Sequence, residues 1–226
     1  MKKILSLTFS LVLTALLATA QLVPPVKFVA FANADQLAAT YDKADTVSKL
    51  VRNQVFLFYK TGKWKQLSSI FTLKKLNNAW PPANGGYNIL NNVAIKAGQK
   101  FDRYSNAIGN YTGEGFPSLG GNFTSPIIKG HYYTFAQRAL NLPENAYDFY
   151  FEIEVLKDLP FQGQTADVIP WFSQVGGGKQ IMWGIPQDPS TGYPMTWNKL
   201  ASLGYIKITI KKSPSGKYPQ LVNQHI

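Results

Sequence analysis

The clearest hydrophobic pattern in the chain is a strict alternation near its C-terminal end. In Tyr205–Ile210 every second residue is isoleucine, with lysine and threonine between. A period of two places alternate side chains on opposite faces of a strand, one buried and one solvated. Tyr147–Leu156 and Asn92–Ile95 are rich in aromatic and β-branched residues, which also favour strands. The second half of the chain is therefore predicted to be a β-rich and mostly antiparallel module.

The start of the mature chain has a helical period instead. Apolar residues recur at helical spacing from Leu37 onward, which indicates an amphipathic helix to about Arg52. Asn33 precedes the pattern, and Gln36 stands three residues later in the position of a capping box. We therefore predict that this helix begins just after Asn33.

Two shorter apolar runs follow, and they resemble strands. We predict Gln54–Tyr59 and Gln66–Leu73 as a pair joined by a turn around Thr61-Gly62-Lys63. Turn-forming residues are dense between aromatic anchors in Trp80–Tyr87, which is typical of an ordered crossover between modules. This composition predicts a boundary near Asn77, with an accessory N-terminal region at 21–77.

The first 20 residues have the pattern of a secretory signal peptide. Lys2 and Lys3 precede the apolar run Ile4–Leu17, and small residues at Ala18–Ala20 suit cleavage before Gln21. A membrane anchor is the alternative, but the run is shorter than the roughly 18 to 20 residues of a spanning helix. Because no other segment is apolar enough to cross a bilayer, we expect a secreted protein, extracellular or periplasmic, without a stable membrane anchor.

The charge balance is strongly basic. The whole chain carries a net charge of +11, so that removal of Lys2 and Lys3 leaves +9. A basic surface favours anionic partners. Lys49–Lys75 contains seven cations and no carboxylate, which suits either a patch for an anionic surface or a solvated face that maintains solubility. The chain has no cysteine, which excludes disulfides, a thiolate nucleophile and cysteine-ligated metal.

Histidine chemistry is equally sparse. The chain has two histidines, His131 and His225, and the second lies beside the C-terminus, in the tail 213–226. The chain therefore has few residues from which a catalytic triad or a histidine-built metal site could form. We interpret His131 as a packing or surface residue.

The glycine run in Val168–Gln180 is the strongest candidate for a functional loop. An apolar stretch ends at three consecutive glycines, and Gln180 follows after one lysine. Glycines allow positive φ and a close approach of the backbone to a ligand. The run lacks the Gly-Lys-Ser/Thr ending of a phosphate loop. We therefore expect a loop that brings the Gln180 amide to a strand end, aimed into a site.

Two of the three arginines in the chain, Arg103 and Arg138, lie near predicted loop or strand ends. Lysine supplies most of the positive charge, so arginine at these positions suggests a need for its planar fork, which binds phosphate or carboxylate with two hydrogen bonds. The alternative is that each arginine ties down its own loop, for instance through Asp102 or Glu144. Composition leaves both interpretations open.

Five short motifs follow one another in a fixed order. They are Trp80-Pro81-Pro82-x-Asn84-Gly85, Gly98-x-x-x-Asp102-Arg103-Tyr104, Gly121-Asn122-Phe123-Thr124-Ser125-Pro126, Arg138-Ala139-Leu140 and Pro170-Trp171-Phe172-x-Gln174-x-Gly176-Gly177-Gly178-x-Gln180. Over residues 78–212 the chain resembles the tuberculosis necrotizing toxin (TNT) domain, a family of secreted NAD glycohydrolases of bacteria and fungi. The N-terminal region, 21–77, carries none of these motifs.

The resemblance implies both a fold and a reaction. The fold is α+β, with a β-rich antiparallel core like that of ADP-ribosyltransferase toxins and a small mixed N-terminal accessory region. The reaction is hydrolysis of the bond between nicotinamide and ribose in NAD⁺, and in many members NADP⁺, to nicotinamide and ADP-ribose. NAD⁺ is then a substrate, and no cofactor or metal is expected.

The resemblance also implies roles for individual residues. Gln180 and Arg103 would be catalytic, with Gln180 orienting the reacting ribose or the attacking water and Arg103 on the phosphates. Either Tyr111 or Phe123 would stack on nicotinamide, with the fuller motif favouring Phe123. The remaining substrate-binding residues would be Arg138 on the phosphates, Tyr104, Trp171, Phe172, Gly177 and Gly178, with at least one of the Trp-Phe pair also a core residue.

Export of an NAD-destroying enzyme suggests a toxin or effector, with an immunity protein as a partner. Nucleic acid is not expected as a partner, and a homodimer stays open. An ADP-ribosyltransferase is one alternative, for which Glu114 is the carboxylate in a Gly-rich loop. A non-catalytic, basic extracellular binding module is another.

Overall fold

The computed structural model describes residues 31–41, 47–106 and 119–213. The signal sequence, Tyr111, Glu114 and His225 lie outside these ranges. The helices are α1 (Ala34–Ala38), α2 (Lys49–Lys60), α3 (Trp64–Lys74) and α4 (Trp197–Ser202). The strands are β1 (Gly86–Ala94), β2 (Lys100–Ser105), β3 (Phe123–Ile127), β4 (Phe149–Val155), β5 (Gln162–Val168), β6 (Lys179–Trp183) and β7 (Ile206–Lys212).

The described strands form one seven-stranded sheet in the order β1-β5-β6-β3-β2-β4-β7. Every neighbouring pair is antiparallel. The alternation in β7 has the predicted effect, because Ile206, Ile208 and Ile210 are all buried. The predicted α+β class with an antiparallel core is confirmed. Within the described ranges, no helix is long and apolar enough to span a membrane.

The predicted strand pair at Gln54–Tyr59 and Gln66–Leu73 is wrong, because both segments are helical. In α2 the buried residues Val55 and Tyr59 are four apart, and in α3 the buried positions also recur at spacings of three and four. Tertiary burial of one helical stripe therefore outweighs the strand preference of the aromatic and β-branched residues. The turn around Gly62 is present, with a φ of 66°.

The helix predicted from Asn33 to Arg52 is interrupted. Its start is correct, because the Gln36 backbone N–H donates to Asn33 Oδ1 at 3.0 Å. However, α1 ends at Ala38, and Ser48 caps the start of α2 by accepting from the Val51 N–H. Two short capped helices replace the single long one.

Two hydrophobic clusters flank the sheet. The first combines α1, α2 and α3 with residues near β1 and β5, including Trp171. The second packs α4 against β2, β4, β6 and β7. Because Ala166 of β5 pairs with Gln180 of β6, Gln180 faces the first cluster, whereas Ile181 faces the second. The N-terminal helices thus pack on the face of the sheet toward which the Gln180 side chain points, and the boundary near Asn77 stays a prediction.

The glycine run makes close backbone contacts. The Gly177 N–H donates to the Val168 carbonyl at 2.7 Å, and the Gly178 N–H donates to the Gln137 carbonyl at 3.0 Å. A Cβ on Gly178 would lie 2.7 Å from the Gln137 carbonyl oxygen. The glycines therefore let the loop before β6 dock on the 3₁₀ turn Ala136–Arg138.

Replacing Gly176 by alanine is expected to lower the free energy of unfolding by roughly 2 to 4 kcal/mol. Its φ is 64°, and a Cβ there would lie 2.6 Å from the Pro170 nitrogen. Gly177→Ala is the matched control, because its φ is 80° but nothing lies within 4 Å of the added Cβ, so only the backbone strain of about 1 kcal/mol applies. Urea unfolding measures both variants, and equal losses would show that the close contact has no role.

Candidate active site

A cavity of about 300 Å³ opens between the segment 80–85, the strands β2, β3 and β6, and the residues 168–172 at and after the end of β5. A smaller cavity of about 50 Å³ adjoins it. Both are lined by Arg103, Tyr104, Phe123, Arg138, Leu140, Val168 and Gln180. Trp171 and Phe172 line the larger one only. Seven predicted site residues therefore share one cavity, whereas Gly177 and Gly178 are not among its lining residues and Tyr111 lies outside the described ranges.

Gln180 is the second residue of β6, and its side-chain amide is fixed from one side. Its Nε2 donates to the Asn84 carbonyl at 3.2 Å. Asn84 lies in the 3₁₀ turn Pro82–Gly85 with a φ of 51°. This turn brings the Asn84 carbonyl within hydrogen-bond distance of Gln180 Nε2. Among the described residues, no hydrogen bond to Gln180 Oε1 is present. The amide is therefore oriented and keeps an acceptor for a ligand.

Helix α2 contacts Gly86, the residue beside the Gln180 amide. The Tyr59 hydroxyl donates to the Gly86 carbonyl at 2.6 Å, and burial raises the pKa of Tyr59. A Cβ on Gly86 would lie 3.4 Å from Gln180 Nε2 and 2.9 Å from the Ala166 Cβ. Gly86 thus leaves room for the amide. Lys179, the neighbour of Gln180 in sequence, forms an exposed ion pair with Asp167 at 2.5 Å and does not line the cavity.

Arg103 is a partly buried cation without an ion-pair partner in the described part of the chain. Its Nη1 donates to the Phe123 carbonyl, while its Nε is buried and receives no hydrogen-bond partner among the described residues. Burial lowers the pKa of Arg103 to about 10, so it remains charged at neutral pH. Gly121 makes room for the guanidinium, because a Cβ there would lie 2.2 Å from Nη2. A desolvated cation on a cavity wall is suited to bind an anion.

Arg138 has a carboxylate partner. Its fork donates to both oxygens of Asp102, at 2.6 and 2.8 Å, and Nε and Nη2 also donate to the Tyr133 carbonyl. The Tyr150 hydroxyl donates to the same carboxylate at 2.8 Å. The guanidinium also lies 5.4 Å from the ring centroid of Tyr104. Arg138 therefore ties the turn before it to β2, as one of the two sequence-based interpretations expects, and its role in phosphate binding stays a prediction.

Replacing Arg138 by methionine is expected to lower the free energy of unfolding by about 3 to 5 kcal/mol. The change leaves the Asp102 carboxylate, whose side chain is 1% exposed, buried without its partner. Lys96→Met is the control, because it breaks an ion pair with Asp158 whose side chains are 60% and 56% exposed, and such pairs contribute at most about 1 kcal/mol. Denaturant titration compares the two, and similar small losses would contradict the structural role of Arg138.

The aromatic residues of the site divide into core and cavity residues. Trp171 is 4% exposed, packs edge-on against Phe71 and donates from Nε1 to the Ala79 carbonyl at 2.8 Å. Trp171 is therefore mainly a core residue. Phe172 is partly buried, has a φ of 49° and meets the ring of Trp80 at 5.2 Å. Trp80, which the sequence marks as a turn anchor and a motif residue without a role in the site, also lines the cavity.

A family model described as tuberculosis necrotizing toxin matches residues 94–206, which is half of the chain. The chain belongs to the TNT family. Among curated proteins, none matches the chain.

A solved structure similar to this TNT chain is that of tuberculosis necrotizing toxin complexed with its immunity factor. The two are 18% identical with a TM-score of 0.39, and the alignment covers 57% of this chain. It covers 60% of the toxin chain, so this protein matches less than two thirds of that relative.

The TNT chain shows no candidate metal centre in its described residues, where no group of three or more metal-ligating side chains occurs. His131 lies exposed beside a bridge to Ile128 and contacts the ring of Tyr133 edge-on at 5.6 Å. Asn84 and Asp102 are the residues that sequence reasoning does not assign to the site. Both belong to the motifs that carry the resemblance, but their contacts join segments far apart in sequence.

Proposed function

We propose that this protein is an NAD⁺ glycohydrolase that cleaves the bond between nicotinamide and ribose. One observation carries the proposal: an oriented glutamine amide and a partly buried arginine without an ion-pair partner among the described residues line the same cavity. The amide suits ribose hydroxyls or a water, and the arginine suits phosphate. Membership of the TNT family, whose members are NAD glycohydrolases, supports the same activity.

The geometry is compatible with a mechanism that uses no general acid. Nicotinamide is already cationic when it is bound to ribose, so it needs no proton to leave. Gln180 would orient the ribose and the attacking water through Oε1 and its remaining N–H, and Arg103 would hold the pyrophosphate. The Phe123 ring would stack on nicotinamide, while Arg138 would keep the wall in place through Asp102. Water adds to the anomeric carbon as nicotinamide departs, and it loses one proton to solvent.

ADP-ribosyl transfer would need a free carboxylate in the site. Such transferases generally depend on a catalytic glutamate, and the one carboxylate among the described residues that line the two cavities is Asp102. Both of its oxygens accept hydrogen bonds from Arg138, and one also accepts from Tyr150. Asp102 is thus occupied as a structural partner. Glu114, the carboxylate considered for transfer, lies outside the described residues.

Product analysis tests the proposal. The purified chain 21–226 is incubated with NAD⁺ or NADP⁺, and free nicotinamide and ADP-ribose (or its phosphate) are quantified with and without acceptor proteins. Equal amounts of the two free products are expected. Labelled acceptor would indicate a transferase. Unchanged dinucleotide at high protein concentration would overturn both enzymatic functions and favour a binding module.

We further propose that the protein is secreted and acts as a toxin or effector. The basic signal-like start of the chain and the family membership support this role. An immunity protein is the partner proposed, by analogy with the tuberculosis toxin, which was solved with its immunity factor. Separate expression of the chain with and without its signal sequence in a bacterial host, followed by measurement of cellular NAD⁺, tests export and toxicity together.

A further inference from the structure

Trp80 and Phe172 form an exposed edge of the larger cavity, which we call the aromatic rim. Their ring centroids lie 5.2 Å apart at an interplanar angle of 79°. Trp80 is 49% exposed, and it is the one tryptophan of the chain that the fold leaves exposed. A large aromatic surface beside a cavity, held out of the core, is a feature of ligand-binding sites.

Hydrogen bonds fix the backbone of the segment that carries Trp80, and the backbone of Phe172 has an unusual conformation. The Trp80 N–H donates to the Asn77 carbonyl at 2.9 Å, and Asn77 Nδ2 donates back to the Trp80 carbonyl at 3.3 Å. The neighbouring Ala79 carbonyl accepts from Trp171 Nε1. Phe172 has a φ of 49°, which is unusual for an aromatic residue. Such strained positions persist where the surroundings fix them, and they cluster at binding sites.

The aromatic rim lines one of the two cavities. Gln180, Arg103 and Phe123 line both cavities, whereas the aromatic rim lines only the larger one. If nicotinamide ribose is held at Gln180 and phosphates at Arg103, then the rest of the dinucleotide needs the larger cavity, because the smaller one has a volume of only about 50 Å³. That remaining part is adenosine, whose flat purine suits an exposed indole.

We propose that the aromatic rim is the adenine-binding subsite, with Trp80 stacking on the purine and Phe172 supporting the indole from its edge. The inference rests on the proposed function, because it takes Gln180 as the nicotinamide end. It assigns a binding role to Trp80 and a direction to the substrate in the cavity.

Calorimetric titration of purified Trp80→Ala and Trp80→Phe tests the subsite. The probes are AMP and ADP-ribose, which contain adenine, and ribose 5-phosphate and nicotinamide mononucleotide, which do not. Trp80→Ala is expected to weaken AMP and ADP-ribose binding about 10-fold, the range of base stacking on an aromatic side chain, with Trp80→Phe restoring most of it. Binding of the two probes without adenine should change less than about twofold.

Tyr193→Ala is the matched control, because Tyr193 is 75% exposed and does not line either cavity. It should leave all four affinities unchanged. Unaltered AMP binding by Trp80→Ala would overturn the subsite, and so would an equal loss for ribose 5-phosphate. A selective loss for nicotinamide mononucleotide would also overturn it, because the rim would then hold nicotinamide.

The binding titration tests the adenine subsite, and the product assay tests the hydrolase function, so either claim can be contradicted without the other. Tryptophan-dependent AMP binding in a protein that leaves NAD⁺ intact would retain the adenine subsite and remove the hydrolase function. NAD⁺ cleavage with the same KM in Trp80→Ala and wild type would retain the hydrolase and remove the subsite.

Discussion

Gln180→Ala is expected to lower kcat for NAD⁺ cleavage by about 100- to 1,000-fold, the usual effect of removing one aimed hydrogen-bonding group. KM should change little, because the phosphates and the bases are held by other residues. Steady-state kinetics of nicotinamide release, with ADP-ribose binding measured by calorimetry, separates the two effects. The loss arises from orientation, since an amide cannot act as a base at neutral pH.

Gln164→Ala is the matched control for this substitution. Gln164 lies on the adjacent strand β5, donates to Asn91 Oδ1 at 2.6 Å and does not line either cavity. Its kcat should stay within about twofold of wild type. Full activity of Gln180→Ala in a folded protein would mean that the catalytic group lies elsewhere.

Arg103→Leu is expected to raise KM for NAD⁺ by about 10- to 100-fold, because it removes charge-assisted hydrogen bonds to phosphate. Its free energy of unfolding should stay within about 1 kcal/mol of wild type, because the lost hydrogen bond to the Phe123 carbonyl is offset by removal of a partly desolvated cation. This combination contrasts with Arg138→Met, for which we expect a large loss of stability. Kinetics and denaturant unfolding on the same preparations measure both quantities.

Lys100→Leu is the charge control on the same strand. Lys100 is exposed and lies 3.8 Å from Glu154, so its removal takes one positive charge from the protein without touching the cavity. An equal rise of KM in Lys100→Leu would assign the Arg103 effect to overall charge. A wild-type KM in Arg103→Leu would exclude Arg103 as the phosphate ligand.

The sequence predicts the elements whose pattern is local and strict. Alternation in β7 and the Asn33 cap need only neighbours in the chain to be recognised. The run around Val55 combines β-branched and aromatic residues, which favour a strand, with a helical spacing of Val51, Val55 and Tyr59, and packing of that stripe in the first hydrophobic cluster decides for the helix. Local propensity therefore misassigns α2 and α3, although the turn between them is correct.

The same limit applies to the site. Arginine scarcity, the glycine run and the family motifs select residues of which seven line one cavity, and their roles in binding and catalysis stay predictions. The pairing of Arg138 with Asp102 joins residues 36 apart in sequence, and nothing local distinguishes Arg138 from Arg103. The substrate-binding role of Gly177 and Gly178 stays a prediction. In the fold, Gly176 and Gly178 pack on protein backbone, a contact that only the tertiary structure creates.

The docking of the glycine loop has a thermodynamic consequence for binding. Backbone hydrogen bonds join Val168 to Gly177 and Gly178 to Gln137, and the adjacent Arg138 is joined to Asp102 of β2. These hydrogen bonds connect β5, the glycine loop, the turn Ala136–Arg138 and β2 in series beside the cavity. The segments around the ligand have therefore already lost their conformational entropy on folding. Ordering them does not reduce the binding free energy of the ligand.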